Sequence, residues 1–409
     1  MAQYNVNLDE EIFHELFSGN EKGLQKLLTQ VLNQVLEEQR TEHIQAQHHE
    51  RSEDRKGYRN EYMPRKITTR VGTINLHVPR VRNGDFSPEM FERYQRSEQA
   101  LILSLMEMVV KGVSTRKVKK VTEELCGTSF SKSTVSRLCS RLDPIVEGWN
   151  NRPLKEKKFP FLIVDGLVLK VREKDRVVPK SALIAVGINE EGYREILGLQ
   201  IGNTETYERW TRFFKWLKGR RLSGVDVVVS DAHSGLKKAA WEEFQDGIWQ
   251  RCQFHFTRNI LDQCPKRYRP QLKQRLKEIH KAPDKKRARA RFKETLDDYE
   301  DKAPKAMSCL EEGLEEAIAV LELPVKYRRR LRTSNSLERL NQEIRRRDKV
   351  IRIYPNEKSA WRMVGALLIE QHEEWSTGRK YLDMEEYNEW KQKIKQPELK
   401  EKRMKVITS

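Results

Sequence analysis

One acidic residue lies in the middle of the apolar run FPFLIVDGLVLKVR at residues 159–172. The aliphatic residues on both sides of Asp165 predict a buried strand, and burying a carboxylate costs several kcal/mol unless a counter-charge or a metal compensates. A second β-branched run, VDVVVSDAH at residues 225–233, ends in Asp231 where a strand should meet a helix. A lone aspartate could turn toward solvent at a bulge beside Gly166. The repetition of the pattern indicates a shared site instead.

The length and the net charge of the chain indicate how many domains it forms and what kind of partner it binds. A chain of 409 residues with net charge +18 should form more than one domain and favours an anionic polymer as its partner, although a basic surface can serve solubility alone. Charge does not separate DNA from RNA. Five irregularly spaced cysteines predict reduced thiols in a cytoplasmic compartment. Neither a signal peptide nor an apolar run of about 18 residues is present, so no membrane partner is expected.

The first 82 residues contain a helix signal and a hairpin signal. Leucine and valine recur at helical spacing over residues 21–47, which predicts an amphipathic helix that packs either in its own domain or on a second subunit. Residues 57–81 read as a short hairpin around Gly72 and Thr73. It carries basic side chains suited to DNA phosphates, or an ordinary solvated face, and those singled out are Arg65, Lys66 and Arg70.

Residues 99–142 show a three-helix pattern. Ser114 and Ser131 stand where N-caps of the second and third helices are expected. The third helix combines an apolar face with an outer face of short polar and basic residues, as in a helix-turn-helix whose last helix reads the major groove. A plain three-helix packing unit is the alternative. The residues expected to face DNA are Lys132, Ser133, Ser136, Arg137 and Arg141.

Strand and helix signals alternate after residue 156. Three strands, a helix, the Asp231 strand, a further helix from Ser234 and a short strand at residues 248–254 give the order of an RNase H-like sheet. In that sheet the middle of the first strand lies beside the end of the fourth, so Asp165 and Asp231 should converge. The pair could be a proton-sharing dyad, a glycosidase pair or part of a two-metal site for phosphodiester chemistry. The basic charge favours the last.

A third carboxylate is expected in the segment TSNSLERLNQEIRRR at residues 333–347. On a helix with 100° per residue, Glu338 shares a flank with Asn341 and Arg345, whereas Glu343 lies on the opposite flank. Glu338 is therefore the better candidate, since an amide and a cation beside it could orient DNA phosphates. An amphipathic surface helix with salt bridges is the alternative.

These motifs together resemble the bacterial Mutator-type insertion-sequence transposases of the DDE superfamily. The resemblance rests on VDGLVLK, SDAHSGLKKA, RCQFHFTRN and SNSLERLNQEIRRR in that order, and it extends over essentially the whole chain. It implies that Asp165, Asp231 and Glu338 are the catalytic, metal-binding triad, with Mg²⁺ or Mn²⁺, two ions being expected. It also implies nicking at the ends of an insertion sequence followed by strand transfer into target DNA.

Cys252 and His255 form half of a zinc-ligand set, but no second pair stands at a usable spacing, so zinc is not expected. The family carries the same Cys-x-x-His, which implies a supporting role such as positioning DNA or packing under the metals. His233, two residues after Asp231, either supports the site or caps the next helix.

The resulting expectation is a multidomain α/β protein with an RNase H-like catalytic core interrupted by an all-helical insertion. Its partners would be double-stranded DNA, as terminal inverted repeats and target, and further copies of the chain as a homodimer or higher oligomer in the bacterial cytoplasm, associated with the nucleoid. A non-catalytic repressor derived from a transposase is the alternative. The expected regions are 1–53 (helical), 54–95 (basic, β-rich), 96–150 (helix-turn-helix-like), 156–256 and 333–375 (core), 257–332 (insertion) and 376–409 (C-terminal helix and tail).

Overall fold

The computed structural model describes residues 12, 15, 21–50, 55–69, 71–82, 86–88, 99–111, 113, 115–126 and 130–394. The chain divides into two compact units, Met1–Arg141 and Leu142–Ser409, which are described in turn.

The first unit begins with a long helix that packs on a hairpin. Helix α1 spans Glu21–Ile44, and strands β1 (Tyr58–Thr69) and β2 (Gly72–Arg82) pair antiparallel. The strands join between Thr69 and Gly72, just before the expected turn, and Gly72 takes a φ of 111° that favours glycine. Part of the apolar stripe of α1 is covered by this hairpin, through contacts among Leu28, Leu32, Leu36, Ile67, Ile74, Leu76 and Val78.

Three further helices of this unit pack against one another: α2 (Gln99–Val110), α3 (Thr115–Cys126) and α4 (Lys132–Cys139). Val135 and Cys139 supply the buried face of α4. The expected cap at Ser131 is confirmed, since its Oγ accepts a 3.1 Å hydrogen bond from the Thr134 amide. The cap expected at Ser114 lies outside the described residues.

The second unit is built on a mixed five-stranded sheet, which confirms an α/β protein. In sheet order β5-β4-β3-β6-β7, the first three strands are antiparallel and β6 and β7 run parallel to β3. The strands are β3 (Phe161–Glu173), β4 (Arg176–Ile188), β5 (Arg194–Gly202), β6 (Val227–Ser230) and β7 (Ile248–Arg251).

Helices cover both faces of the sheet because its strands are apolar on both sides. On one face, the aromatic residues of α6 and the small residues of α7 pack on Leu162 and Val164 of β3. Helices α13 and α14 pack against β3 as well, and Asn341 of α13 reaches the neighbouring Asp165. The four helices are α6 (Tyr207–Gly219), α7 (Ser234–Glu243), α13 (Asn335–Ile351) and α14 (Glu357–Thr377).

Helix α5 (Asp143–Asn150) also belongs to this unit. The Asn150 side chain exchanges two hydrogen bonds with the Leu199 backbone in β5, and Arg362 of α14 pairs with Asp143. Residues 143–150 are therefore fixed to the sheet.

Four of the remaining helices, α8 to α11, form a second hydrophobic core between β7 and α13. Strand β7 ends at Arg251, earlier than expected, because Cys252 is the N-cap of the next helix and places His255 on that helix. Among the described helices, none is long and apolar enough to cross a bilayer. These elements are α8 (Gln253–Asp262), α9 (Arg269–His280), α10 (Lys285–Tyr299), α11 (Pro304–Ala317), α12 (Val325–Leu331) and, after α14, α15 (Glu385–Ile394).

Candidate active site

The register of the central strands brings Asp165 and Asp231 together. Strands β3 and β6 pair in parallel up to Ile163 opposite Val229. Two residues after these partners lie Asp165, within β3, and Asp231, directly after the end of β6, and neighbouring strands are about 4.8 Å apart. Since side chains alternate between faces, both aspartates fall on the face opposite Val164 and Val228.

Asp165 lies within a regular strand and does not mark a bulge. Pairing of β3 with β4 runs without a register shift past Asp165, which lies opposite Ile184. Its Oδ1 accepts a 2.9 Å bond from the Gly166 amide, and its Oδ2 accepts a 2.7 Å bond from Asn341 Nδ2. The bulge interpretation is therefore wrong, and the carboxylate is held by a helix.

Gly166, the residue after this aspartate, lies directly against the Glu205 side chain. A Cβ atom on Gly166 would come within 2.1 Å of Glu205 Oε1, and the Glu205 carboxylate is itself held by a 2.9 Å bond from Ser181 Oγ. A second carboxylate is thus packed against the strand next to Asp165.

The charges at this site are coupled. Burial, reinforced by the negative charge of Asp231, raises the pKa of Asp165 to about 7. The positive charge of His255 and the Gly166 amide act in the opposite direction, and Glu205 adds to the increase. Because the negative charge of Asp231 disfavours ionisation of Asp165, a cation between the two side chains would relieve a repulsion that the fold creates.

His255 lies beside the two aspartates and close to the Cys252 thiol. The hydrogen bond with Cys252 raises the pKa of His255 to about 9 against the effect of burial, and the charges of Asp165 and Asp231 act in the same direction. Burial raises the pKa of the Cys252 thiol, but hydrogen bonds with His255 and Ser334 outweigh it and lower the net value. His255 therefore supplies positive charge to the site at neutral pH.

Helix α13 presents its expected apolar stripe to the core, with Leu337, Leu340 and Ile344 all at most 1% exposed. Glu338 is half-buried and lies one turn before Asn341, whose amide holds Asp165. Glu343 pairs instead with Arg346 and Arg347, away from the aspartates.

The third carboxylate is near the pair but does not complete it. No three His, Cys, Asp or Glu side chains of the described ranges are grouped closely enough to hold one metal ion. The structure thus brings Asp165 and Asp231 together and places Glu338 on the adjoining helix, without joining the three.

The donor groups nevertheless fit a divalent cation. Carboxylate and amide oxygens are the ligands that Mg²⁺ and Mn²⁺ prefer. Asn341 is 7% exposed, and among the residues that the structure describes its Oδ1 has no hydrogen-bond partner. A buried amide oxygen without a partner costs free energy, so a bound water or cation beside Asp165 would satisfy it.

Comparison with known proteins identifies the family of this chain. The profile described as "Transposase, Mutator family" matches residues 2–378. The chain belongs to the Mutator family of transposases.

Several insertion-sequence transposases are similar to this chain over most of their length. The transposase for insertion sequence element IS256 in transposon Tn4001 of Staphylococcus aureus is 49% identical, covering 85% of this chain and 90% of the relative. The transposase for ISRM5 of Rhizobium meliloti is 42% identical over 92% and 94% of the two chains. The transposase for IS1081 of Mycobacterium tuberculosis is 40% identical over 83% and 82%.

Other predicted residues of this Mutator-family chain lie as follows. His233 is the N-cap residue of α7, and its backbone amide donates a 3.3 Å bond to Asp231 Oδ1, while its side chain makes no capping bond. Arg345 is exposed on α13. In the first unit, Ser133, Ser136, Arg137, Arg141 and Lys66 are exposed and Arg65 is half-buried. The Lys132 side chain and Arg70 lie outside the described residues.

Sequence reasoning missed Glu205, Ser181 and Ser334. Glu205 and Ser181 come from a loop and a strand that carry no motif, and their approach to Gly166 is set by the pairing of β3 with β4. Ser334 lies within the motif around Glu338, but its contact with Cys252 joins residues 82 positions apart.

Proposed function

We propose that this Mutator-family protein is a metal-dependent DNA transposase that binds the terminal inverted repeats of an insertion sequence. It nicks DNA at the element ends and transfers the strand into target DNA. The observation that carries the proposal is the placement of Asp165 and Asp231 on adjacent parallel strands within a chain of this family.

We interpret the five-stranded sheet as an RNase H-like core. Its order, three antiparallel strands followed by two parallel strands beside the first, supports this interpretation. The separate helical core between β7 and α13 is then the all-helical insertion, and α13 returns the chain to the sheet with Glu338.

In this proposal Asp165, Asp231 and Glu338 hold the divalent cations, Mg²⁺ or Mn²⁺, two ions being expected. When bound, such ions activate the attacking oxygen and stabilise the leaving oxygen of a phosphodiester. Asn341 fixes the rotamer of Asp165 through its 2.7 Å bond. His255 balances part of the negative charge before a cation arrives. Glu338 lies one turn before Asn341, about 4.5 Å along the helix axis, so it is the acidic residue of α13 that adjoins the contact with Asp165.

Double-stranded DNA is the proposed partner. The net charge of +18 suits a polyanion, and Arg345 is exposed on α13, where it can contact a phosphate. In the first unit we assign α2–α4 as a helix-turn-helix. The exposed face of α4, with Ser133, Ser136 and Arg137, supports a role in reading the major groove.

The proposal is tested by nicking of a supercoiled plasmid that carries the element ends, in the presence of Mg²⁺. The parent should nick the plasmid and Asp165→Asn should not. Asp175→Asn is the matched control, because Asp175 is exposed at the β3–β4 turn and undergoes the same loss of charge. Equal nicking by the parent and Asp165→Asn contradicts the assignment of the site. Specific binding of the ends without nicking by either protein favours the repressor.

An oligomer of the chain is also proposed. Leu28 packs on the hairpin, so a charge there would damage the fold of the first unit, whereas Leu24 is 48% exposed on the same helix. Leu24→Glu should lower the mass seen in sedimentation if α1 contacts another subunit. An unchanged mass places that contact elsewhere.

A further inference from the structure

Cys252 is a buried thiol that joins two separate carboxylate-bearing segments. We propose that Cys252 is a positioning residue that couples the end of β6, and so Asp231, to the start of α13, and so Glu338. This inference rests on the proposed function, because it assigns Cys252 the task of setting the third carboxylate relative to the strand-borne pair.

The first connection runs from the backbone of Cys252 to the residue before Asp231. The Cys252 amide donates a 2.7 Å bond to the Ser230 carbonyl. Ser230 is fully buried, and its hydroxyl accepts a 3.0 Å bond from Trp249 Nε1. The chain entering Asp231 is therefore fixed from both its backbone and its side chain.

The second connection runs from the sulfur of Cys252 to the first residue of the α13 turn. Both the amide and the hydroxyl of Ser334 donate to Cys252 Sγ, each at 3.4 Å. The Ser334 carbonyl accepts bonds from the amides of Leu337 and Glu338, at 2.9 and 3.0 Å. A parallel backbone bond of 2.9 Å joins the Gln253 amide to the Arg332 carbonyl. The position of the Glu338 backbone is thus two hydrogen bonds away from the sulfur.

The behaviour of Ser334 indicates that this connection is built rather than incidental. A serine at a helix N-cap normally accepts a bond from the second or third amide of its own helix. Ser334 stands at the N-cap of α13 but makes no such bond, and its hydroxyl is directed to the sulfur instead. Helix α13 therefore lacks the local capping bond and has instead a tertiary bond to Cys252, which fixes where the helix begins.

Cys264 provides a matched comparison within the chain. It is also a buried cysteine, 2% exposed against 1% for Cys252, but it packs in the separate helical core and its thiol donates to the Pro265 carbonyl nearby. Loss of either thiol removes a similar amount of buried surface. Only loss of Cys252 should disturb the carboxylates.

The test uses Cys252→Ala, Cys252→Ser and Cys264→Ala in the full chain, with Mn²⁺ as the probe. Electron paramagnetic resonance of free Mn²⁺ should show about tenfold weaker binding by Cys252→Ala, as is typical when the support of a metal ligand is removed. Cys252→Ser retains an acceptor for Ser334 and should recover most of the affinity. Cys264→Ala should bind Mn²⁺ within about twofold of the parent.

Hydrogen exchange of the first α13 turn separates failure of this inference from failure of the proposed function. Cys252→Ala should speed exchange of the Leu337 and Glu338 amides, with or without a metal. Unchanged exchange and unchanged Mn²⁺ affinity overturn the inference and leave the metal site standing. Faster exchange in Cys252→Ala supports the connection to α13. If the parent protein binds no Mn²⁺, the proposed metal site is overturned even though the connection stands. If Cys252→Ala does not fold, Ser334→Ala removes one of the two bonds and carries the same comparison.

Discussion

The strands and the helix that carry the candidate site hold their acidic residues in different ways. Asp165 and Asp231 are placed by the backbone ladder between β3 and β6, so their separation follows from strand pairing. Glu338 is placed by packing of α13, whose polar connections nearby are the bond from Asn341 to Asp165 and the bonds from Ser334 to Cys252. Strand pairing positions the first two acids, whereas the third depends on the packing of a helix, on a few side-chain contacts and on the backbone bond from Gln253 to Arg332.

This difference explains why the site is preformed in part. A ladder tolerates two repelling carboxylates because its many hydrogen bonds exceed their repulsion. A helix that rests on a few side-chain contacts can keep its carboxylate apart until a cation makes the approach favourable. The predictions below probe the two modes of support, beginning with the largest expected effect.

Removing a strand-borne charge should have the largest effect. Asp231→Asn should reduce plasmid nicking about a thousandfold, since a metal-bound carboxylate contributes several kcal/mol to phosphodiester cleavage. Glu338→Gln should reduce nicking comparably, but should leave more of the Mn²⁺ affinity, because the two strand-borne acids remain paired. Equal loss of Mn²⁺ affinity in both variants would show that helix and strands contribute alike.

The stability of the metal-free protein should fall as pH rises from about 4 to 7. The pKa of Asp165 is raised from 3.8 to about 7 by burial and by Asp231, so in this range the folded chain keeps a proton that the unfolded chain releases. The contribution is at most about 4 kcal/mol, since one pKa unit is worth about 1.4 kcal/mol.

Urea denaturation in the presence of a chelator measures this effect as the difference between the parent and Asp165→Asn. Carboxylates remote from the site titrate equally in both proteins, so the difference isolates Asp165 and the groups coupled to it. A difference that is constant between pH 4 and 7 would contradict the coupling of the two aspartates.

Adding one methyl group to the central strand should destabilise the second unit. Gly166→Ala places a Cβ atom 2.1 Å from Glu205 Oε1, and such overpacking costs about 1–3 kcal/mol. Gly148→Ala is the control, because nothing lies within 4 Å of a Cβ at that helical position. It should be neutral or slightly stabilising. Equal behaviour of the two variants in denaturation would show that the strand yields beside Asp165.

Removing the amide contact from the helix should have the smallest effect. Asn341→Leu keeps most of the volume but leaves Asp165 Oδ2 without its 2.7 Å donor, at a cost of about 1 kcal/mol in the free energy of unfolding. Gln342→Leu makes a similar change at the next, exposed position and should stay within about 0.5 kcal/mol. A larger loss of stability in Gln342→Leu than in Asn341→Leu would mean that α13 packs on the sheet through a different face.

The sequence predicted the strand-borne part of the site better than the helix-borne part. The apolar runs that contain Asp165 and end in Asp231 are local signals, and the order of strands and helices constrains which strands become neighbours. The buried apolar stripe of Leu337, Leu340 and Ile344 was predicted equally well by its helical spacing. Contacts such as Ser334 with Cys252 depend on how a helix settles after 82 intervening residues, and no local pattern encodes them.

The end of β7 is a second feature that depends on tertiary contacts and not on a local sequence pattern. Residues 248–254 are apolar enough to read as one strand, yet the chain turns into a helix after Arg251. The amide of Cys252 is taken by Ser230 and that of Gln253 by Arg332, so tertiary bonds decide where the strand stops.

The central claim is that Asp165, Asp231 and Glu338 meet around a divalent cation when DNA is bound. Fe²⁺ can replace Mg²⁺ at such sites, and with peroxide it cleaves the polypeptide backbone near the residues that bind it. In a complex of the chain with its element ends, we expect cuts close to all three residues, suppressed by excess Mg²⁺ and lost in Asp165→Asn. Cuts near Asp165 and Asp231 without any near Glu338, or cuts that persist in Asp165→Asn, would contradict the account.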